Sequence, residues 1–459
     1  MALVLIGSMF FVRYLGAELY GAYQYCMVAV EAIPVFYSNL DQMIVRFFPT
    51  ADRQQQAKIV FTTFVIKGTV LFITGTVAGL AWCLWGRRAI LGQEILNRPG
   101  MAVTALLVIL QIPVSLLAGT VTSTLQGLQL FNILMGLGLT QSVLNLTWLI
   151  VVIWGWKMEA AIGLPSIVGG RLIISLFFLL IFAFLVRRTW PGGWRAVLTC
   201  SHEIRKAIKE GFGPDVRRYV LPLQVSGLTG YLRQYLPGLT LGAVVGMADV
   251  TYLRVIQEVF KTVHKFVPDA LAFVFPGMVK SWERDRARFE SRYQLMSVLY
   301  VGVMAGLALL LVVSVRPLLG LWGLEVSTEV YWVVLIFGAA LIIGAAAQIE
   351  GQAFLLGKDM RPFLLIVPVR QLVLSVLTVW IVNLWGLMGT SFAELLVFLW
   401  NWFGVTWFAY KMRTRRVRHI RFSYAVTMVA ILLYLGAAMW FADLSGASFS
   451  SFLNLMRSR

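Results

Sequence analysis

Residues 250–276 read VTYLRVIQEVFKTVHKFVPDALAFVFP, from Val250 to Pro276, and this run decides what kind of protein the chain builds. It is long enough to cross a bilayer, because about 20 helical residues span roughly 30 Å of hydrocarbon. Yet it carries Arg254, Glu258, Lys261, Lys265 and Asp269. At about 100° per residue, these five fall within an arc of roughly 80° on an α-helix. The remaining surface is mostly Val, Leu, Ile, Phe and Ala, with Gln257 and His264 on one flank. Lipid cannot receive the charged arc, since each central Arg or Lys costs at least about 2.5 kcal/mol there. The stripe is expected to face protein or a wet cavity, with the rest of the chain as its walls.

The chain around this run is of one character. Of its 459 residues, 59% are hydrophobic and 13% charged, against about 25% charged in soluble domains. That is the composition of an all-α polytopic membrane protein. Hydropathy places spans near 1–13, 22–40, 59–85, 101–125, 134–154, 164–186, 219–246, 250–276, 294–316, 331–357, 362–385, 388–410 and 422–442, about 13 transmembrane helices. The first run is short and has no polar lead-in, as expected of a chain that lacks its true beginning or starts unusually close to the membrane. No cleavable signal peptide is evident.

The formal net charge of +18 belongs to loops that set topology, and no nucleic-acid partner is expected. With the N-terminus in the cytoplasm, the cytoplasmic loops carry about three times as many Lys and Arg as the opposite side. Seven cations remain inside spans: Lys67, Arg171, Arg233, Arg254, Lys261, Lys265 and Arg370. The acids at that depth are Glu31, Glu258, Asp269, Glu350 and Glu394. Cys26, Cys83 and Cys200 have no paired spacing, so neither a disulfide framework nor a metal site is implied, and no cofactor is expected.

The organisation expected is an N-terminal lobe of six spans (1–186), a basic cytoplasmic linker (187–218), a C-terminal lobe of six spans (219–410), and a final segment (411–459) holding a basic loop, an extra helix and a short tail. The linker is turn-rich at Trp190-Pro191-Gly192-Gly193 and reads as an amphipathic helix from His202, suited to resting on anionic headgroups. The halves echo one another. Leu15-Gly16-Ala17 recurs as Leu241-Gly242-Ala243, and Tyr25, Glu31, Phe48 and Pro49 recur as Tyr252, Glu258, Phe275 and Pro276. Parallel repeats of this kind leave a central cavity between two bundles.

Several stretches carry a resemblance. Arg13-Tyr-Leu-Gly-Ala-Glu-Leu-Tyr-Gly-Ala-Tyr23 resembles the opening signature of polysaccharide flippases. Leu241-Gly-Ala-Val-Val-Gly-Met-Ala-Asp-Val-Thr-Tyr252, running on to Phe275-Pro276, is similar to that family's seventh and eighth spans. Leu384-Trp-Gly-Leu-Met-Gly-Thr390 looks like its Gly-x-x-Gly turn between the eleventh and twelfth. The chain thus resembles the polysaccharide transporter branch of the multidrug/oligosaccharidyl-lipid/polysaccharide exporter superfamily. The resemblance implies two six-helix lobes, alternating access, and export of an undecaprenyl-pyrophosphate-linked oligosaccharide across a bacterial inner membrane. The chain departs from that family in its thirteenth span and in Arg370-Gln371, where relatives commonly have an uncharged span.

An amphiphile with a pyrophosphate and a sugar chain needs a cavity whose walls replace water. Arg254, Lys261, Lys265, Arg233 and Arg370 are the candidates for the anionic head, Arg being able to grip phosphate bidentately. Glu258, Glu31 and Asp269 are the cavity acids that would hold those cations in place, and Glu31 or Glu258 could exchange a proton if H+ or Na+ drives transport. The stripe also admits self-neutralisation through Arg254–Glu258 and Lys265–Asp269 at i,i+4 and Glu258–Lys261 at i,i+3. Lys67, Arg171, Glu350 and Glu394 lie toward span ends, where snorkelling or structural pairing is expected. Partners expected are the lipid-linked oligosaccharide, membrane lipids and polysaccharide assembly proteins. A drug/cation antiporter of the same superfamily is the alternative, though it would favour an acidic pocket. A membrane-embedded glycan polymerase or ligase is disfavoured, because the non-cytoplasmic loops are short and neither Asp-x-Asp nor Gly-x-Ser-x-Gly occurs.

Overall fold

The computed structural model describes residues 2–81, 100–156, 158–200, 210, 214–264, 286–355, 361–411 and 417–457. Lys265, Asp269 and the helix expected from His202 lie outside the described residues, as do the side chains of Glu31 and Glu350. Every described element is helical, as a bilayer demands of a backbone that must bond to itself.

The chain opens with α1 (Ala2–Phe47), which is two helices joined at Gly16 (φ 75°, ψ 167°). The Phe11 ring lies 5.7 Å from that of Tyr20 and 5.1 Å from that of Tyr23, whereas a straight helix would hold residues 11 and 23 about 18 Å apart. The chain therefore doubles back at Gly16, between the first two expected spans. After α2 (Arg53–Ala81) and α3 (Met101–Gly127), α4 (Phe131–Ile150) ends in a wider turn at Val151–Gly155. The long α5 (Ala160–Thr189) is followed by the short α6 (Gly193–Thr199) and by α7 (Pro214–Val244). Helix α7 runs through Pro222 and Pro237 without a recorded break.

Helix α8 occupies residues 247–264. Then come α9 (Arg286–Val313), α10 (Val315–Gly320) and α11 (Thr328–Leu355). Helix α12 (Arg361–Lys411) is again two helices, joined at Gly386 (φ 56°, ψ −131°). A Cβ at Gly389 would stand 2.5 Å from the Ile381 carbonyl oxygen, a meeting that a straight helix forbids by about 12 Å. The Gly-x-x-Gly turn expected between the eleventh and twelfth spans is thus a hairpin. The chain closes with α13 (Val417–Leu444) and α14 (Phe449–Arg457).

Seven stretches among the described residues are long and apolar enough to cross a membrane, and one of them, Arg370–Gly404, contains the Gly386 hairpin. The protein is a multi-pass membrane protein. In the repeat, Leu15-Gly16-Ala17 makes the reversal of α1, but Leu241-Gly242-Ala243 sits inside the end of α7, and the positive-φ glycine there is Gly246. The second half continues its helix about one turn further before reversing, which a match of three residues cannot register.

Two compact units divide the chain, Ala2–Tyr235 and Leu236–Arg459. In the first, α3 packs against α1 and α5, and α2 against α1. Its core gathers Leu40, Ile44, Phe48, Leu125, Phe182 and Trp190. In the second, α11 is the axle: α9, α12 and α13 pack around it, and every residue from Val330 to Ala347 is buried. Small residues let the neighbours in. At Gly338 a Cβ would meet the Tyr434 hydroxyl, and at Gly344 it would lie 2.7 Å from the Phe398 ring. Tyr434 donates to the Leu335 carbonyl at 2.7 Å, filling a polar bond that hydrocarbon could not supply.

Substituting Gly389→Ala is expected to destabilise the purified protein by about 1–3 kcal/mol, because backbone meets backbone and no rotamer relieves it. Thermal unfolding in detergent checks this, and an unchanged midpoint would contradict the hairpin geometry.

Candidate functional site

The charged stripe begins in the described part of α8. Arg254 is 7% exposed, Glu258 is half-buried and Lys261 exposed. Along a single helix face the charges thus pass from enclosed to open. The opposite side of the helix explains the rotation. Phe260 lies 5.4 Å, ring to ring, from Phe337 of α11, and His264 lies 5.7 Å from Phe398 of α12. These two anchors sit about 100–140° around the helix from the middle of the stripe. Apolar packing on α11 and α12 therefore turns Arg254, Glu258 and Lys261 away from both. On the flank, Gln257 Oε1 is buried with no hydrogen-bond partner among the described residues.

The other expected residues are distributed between the two units. Arg233 belongs to the first, on α7, where it is half-buried and its Nε is enclosed without a hydrogen-bond partner among the described residues. On the same helix Tyr231 and Tyr235 stack at 4.3 Å, and the Tyr231 hydroxyl donates to the Val28 carbonyl of α1. Arg370 belongs to the second unit, half-buried on α12. Glu31 lies on α1 with its side chain outside the described residues.

A second charged centre was not singled out from sequence as a pair. Lys67, placed near a span end where snorkelling or structural pairing was expected, takes the second course and is wholly enclosed at 0% exposure. Its Nζ lies 2.5 Å from Asp41 Oδ1, 2.9 Å from Thr120 Oγ1 and 3.5 Å from the Leu116 carbonyl. Three helices converge here: α1 brings Asp41, α2 Lys67, and α3 Leu116 and Thr120. Gly119 completes the arrangement, because a Cβ there would stand 2.8 Å from Asp41 Oδ2. Asp41 fell just past the second apolar run and so escaped the tally of acids at membrane depth. The available signal was the spacing of one acid and one lysine at the same depth on neighbouring spans.

Arg171 pairs structurally, as expected. Its Nη1 donates to the Tyr23 hydroxyl at 3.3 Å, and its guanidinium sits 5.2 Å from the Phe11 ring centre. Beyond the membrane-depth groups, the linker is fastened to the first unit. Trp190 donates from Nε1 to Gln56 Oε1 at 3.1 Å and meets Phe48 edge-on at 5.2 Å. Glu210 pairs with Lys58 and accepts at its carbonyl from Gln55 at 3.2 Å. No group of three or more metal-ligating side chains occurs among the described residues.

Comparison with known proteins follows this geometry. The family model described as "Polysaccharide biosynthesis protein" matches residues 1–282. None of the curated proteins matches the sequence. Among solved structures, the chain is similar to an inward-facing multidrug resistance MATE family transporter of the MOP superfamily, with a TM-score of 0.61 and 14% identity over 90% of this chain and 95% of that one. It is similar also to the lipid II flippase MurJ in an inward closed conformation, with a TM-score of 0.57 and 14% identity over 96% of this chain and 97% of that one. At such identity the likeness is one of fold.

The Gly119 contact generates a test. Gly119→Ala is expected to cost about 1–3 kcal/mol by displacing the Asp41 carboxylate, and much less in an Asp41→Ala background where nothing remains to displace. Equal losses in both backgrounds, measured by thermal unfolding, would contradict the contact.

Proposed function

The chain belongs to the polysaccharide biosynthesis protein family, and from that premise we propose that it is a flippase for a lipid-linked oligosaccharide. In this reading it carries an undecaprenyl-pyrophosphate-linked glycan across the bacterial inner membrane by alternating access, with the N-terminus in the cytoplasm. It is a transporter and not an enzyme: the lipid-linked substrate leaves chemically unchanged. The observation that carries the proposal is the face of α8 on which Arg254 is 7% exposed while Lys261 is open. A head group bearing two phosphates needs cations it can reach from water and follow into a less wet place, and this face offers that sequence.

The residues take complementary roles. Arg254 and Lys261, continued by Lys265, receive the pyrophosphate, and Arg233 and Arg370 extend the cationic lining. Glu258, with Asp269 and Glu31, keeps the cations from holding the product too tightly, since a charge-assisted bond of about 1.5–3 kcal/mol to each phosphate would otherwise slow release. Glu258 or Glu31 exchanges a proton if H+ or Na+ drives the cycle. The fold likeness to a multidrug transporter supports a second reading, a drug/cation antiporter. Cations outnumber acids among the proposed lining residues, which suits an anionic cargo better than a cationic one.

The test is the double substitution Arg254→Ala/Lys261→Ala in a host whose surface glycan depends on this chain. Membrane insertion and protein level are expected to stay normal while displayed glycan falls at least about tenfold. Undiminished display at normal protein level would refute the proposal. Loss of drug resistance with intact display would establish the antiporter instead.

A further inference from the structure

The Asp41–Lys67–Thr120 centre has no part in the proposed lipid path, and it gathers oxygen acceptors from two helices around one buried positive charge on a third. One carboxylate oxygen at 2.5 Å, one hydroxyl at 2.9 Å and one backbone carbonyl at 3.5 Å surround a single positive charge. These are the hard oxygen donors that hold monovalent cations, and here the guest is the chain's own ammonium. The lysine is wholly enclosed at 0% exposure, whereas the Asp41 side chain keeps 18%, so the carboxylate is the open side of the site. Gly119 leaves the space that the second carboxylate oxygen needs.

We propose that the Ala2–Tyr235 unit contains a monovalent-cation site filled permanently from within by Lys67. The tethered ammonium does there what a bound alkali ion would do, neutralising Asp41 and tying α1, α2 and α3 together. It cannot leave, so this unit holds its three helices together regardless of the sodium or potassium around it. Any ion that drives the protein must then act elsewhere. If the ammonium is removed, the remaining oxygens accept a free cation of similar charge and size. The inference stands apart from the flippase reading, because it concerns the stability of the unit and not the cargo.

The experiment uses the full-length protein in detergent with Lys67→Ala, comparing chloride salts of choline, sodium and ammonium at equal ionic strength. In choline the variant is expected to unfold about 5–10 °C below the parent, because Asp41 is left with its charge unanswered. Sodium or ammonium should recover at least half of that loss, while the parent's midpoint is the same in all three salts. Asp41→Asn/Lys67→Ala should be more stable in choline than Lys67→Ala and show no preference among the salts. A single variant as stable as the parent in choline, or one that no cation restores, would overturn the proposal. If Lys67→Ala folds in none of the three salts, no cation has taken the ammonium's place and the proposal is overturned; a folded double variant would then assign the loss to the Asp41 charge, and an unfolded one to lost packing.

Discussion

Hydrocarbon offers no partner to a charge, and the whole molecule is arranged around that refusal. Burying an ion costs several kcal/mol even after relaxation, so each ionisable side chain at membrane depth must be answered by protein or by water. The first unit answers by pairing. Lys67 has a carboxylate, a hydroxyl and a carbonyl within reach. Arg171 has a ring and a phenol. An aromatic face supplies about 2 kcal/mol to a desolvated cation, less than the several kcal/mol that burial costs, and the Tyr23 hydroxyl makes up part of the difference. The second unit answers by sorting, with Arg254, Glu258 and Lys261 of α8 gathered on one side and the ring anchors Phe260 and His264 turned away from them.

The same refusal shapes the backbone. A peptide group in lipid has to bond within its own helix, so reversals are compressed to the shortest form that still turns the chain. Gly16 and Gly386 take positive-φ conformations that residues with a side chain rarely adopt. What they gain is position: one hairpin brings Phe11 onto Tyr20 and Tyr23, beside Arg171, and the other returns the second half of α12 so that Phe398 reaches both α11 and α8. Ring contacts thus set the rotation of α8, and rotation decides which way its cations look.

Hydropathy made the spans legible because a bilayer requires unbroken apolar runs of a fixed length. It left a break at each glycine hairpin: Arg13 and Glu18 interrupt the run around Gly16, and the turn at Gly386 was marked as well by the resemblance of Leu384–Thr390 to the family's Gly-x-x-Gly turn. The clustering of Arg254, Glu258 and Lys261 was readable from helical period alone. What they turn away from was not, because Phe337 and Phe398 lie far along the chain. The Asp41–Lys67 pair was missed for the same reason: each residue sits alone at the margin of its own run, and the three-helix convergence that joins them is invisible to a one-dimensional profile. The internal repeat was placed about one turn out at its second reversal, since three matching residues cannot say where a helix stops.

Helix α11 carries a consequence for biogenesis. From Val330 to Ala347 it has no side left for lipid, yet α12, α13 and α14, which cover much of it, are translated later. When α11 leaves the ribosome its glycine and alanine grooves are empty, and nothing in the acyl chains can fill them closely. The covering of α11 is therefore completed only when the later helices have followed it, and a chain cut short after α11 would leave its packing surface without those neighbours.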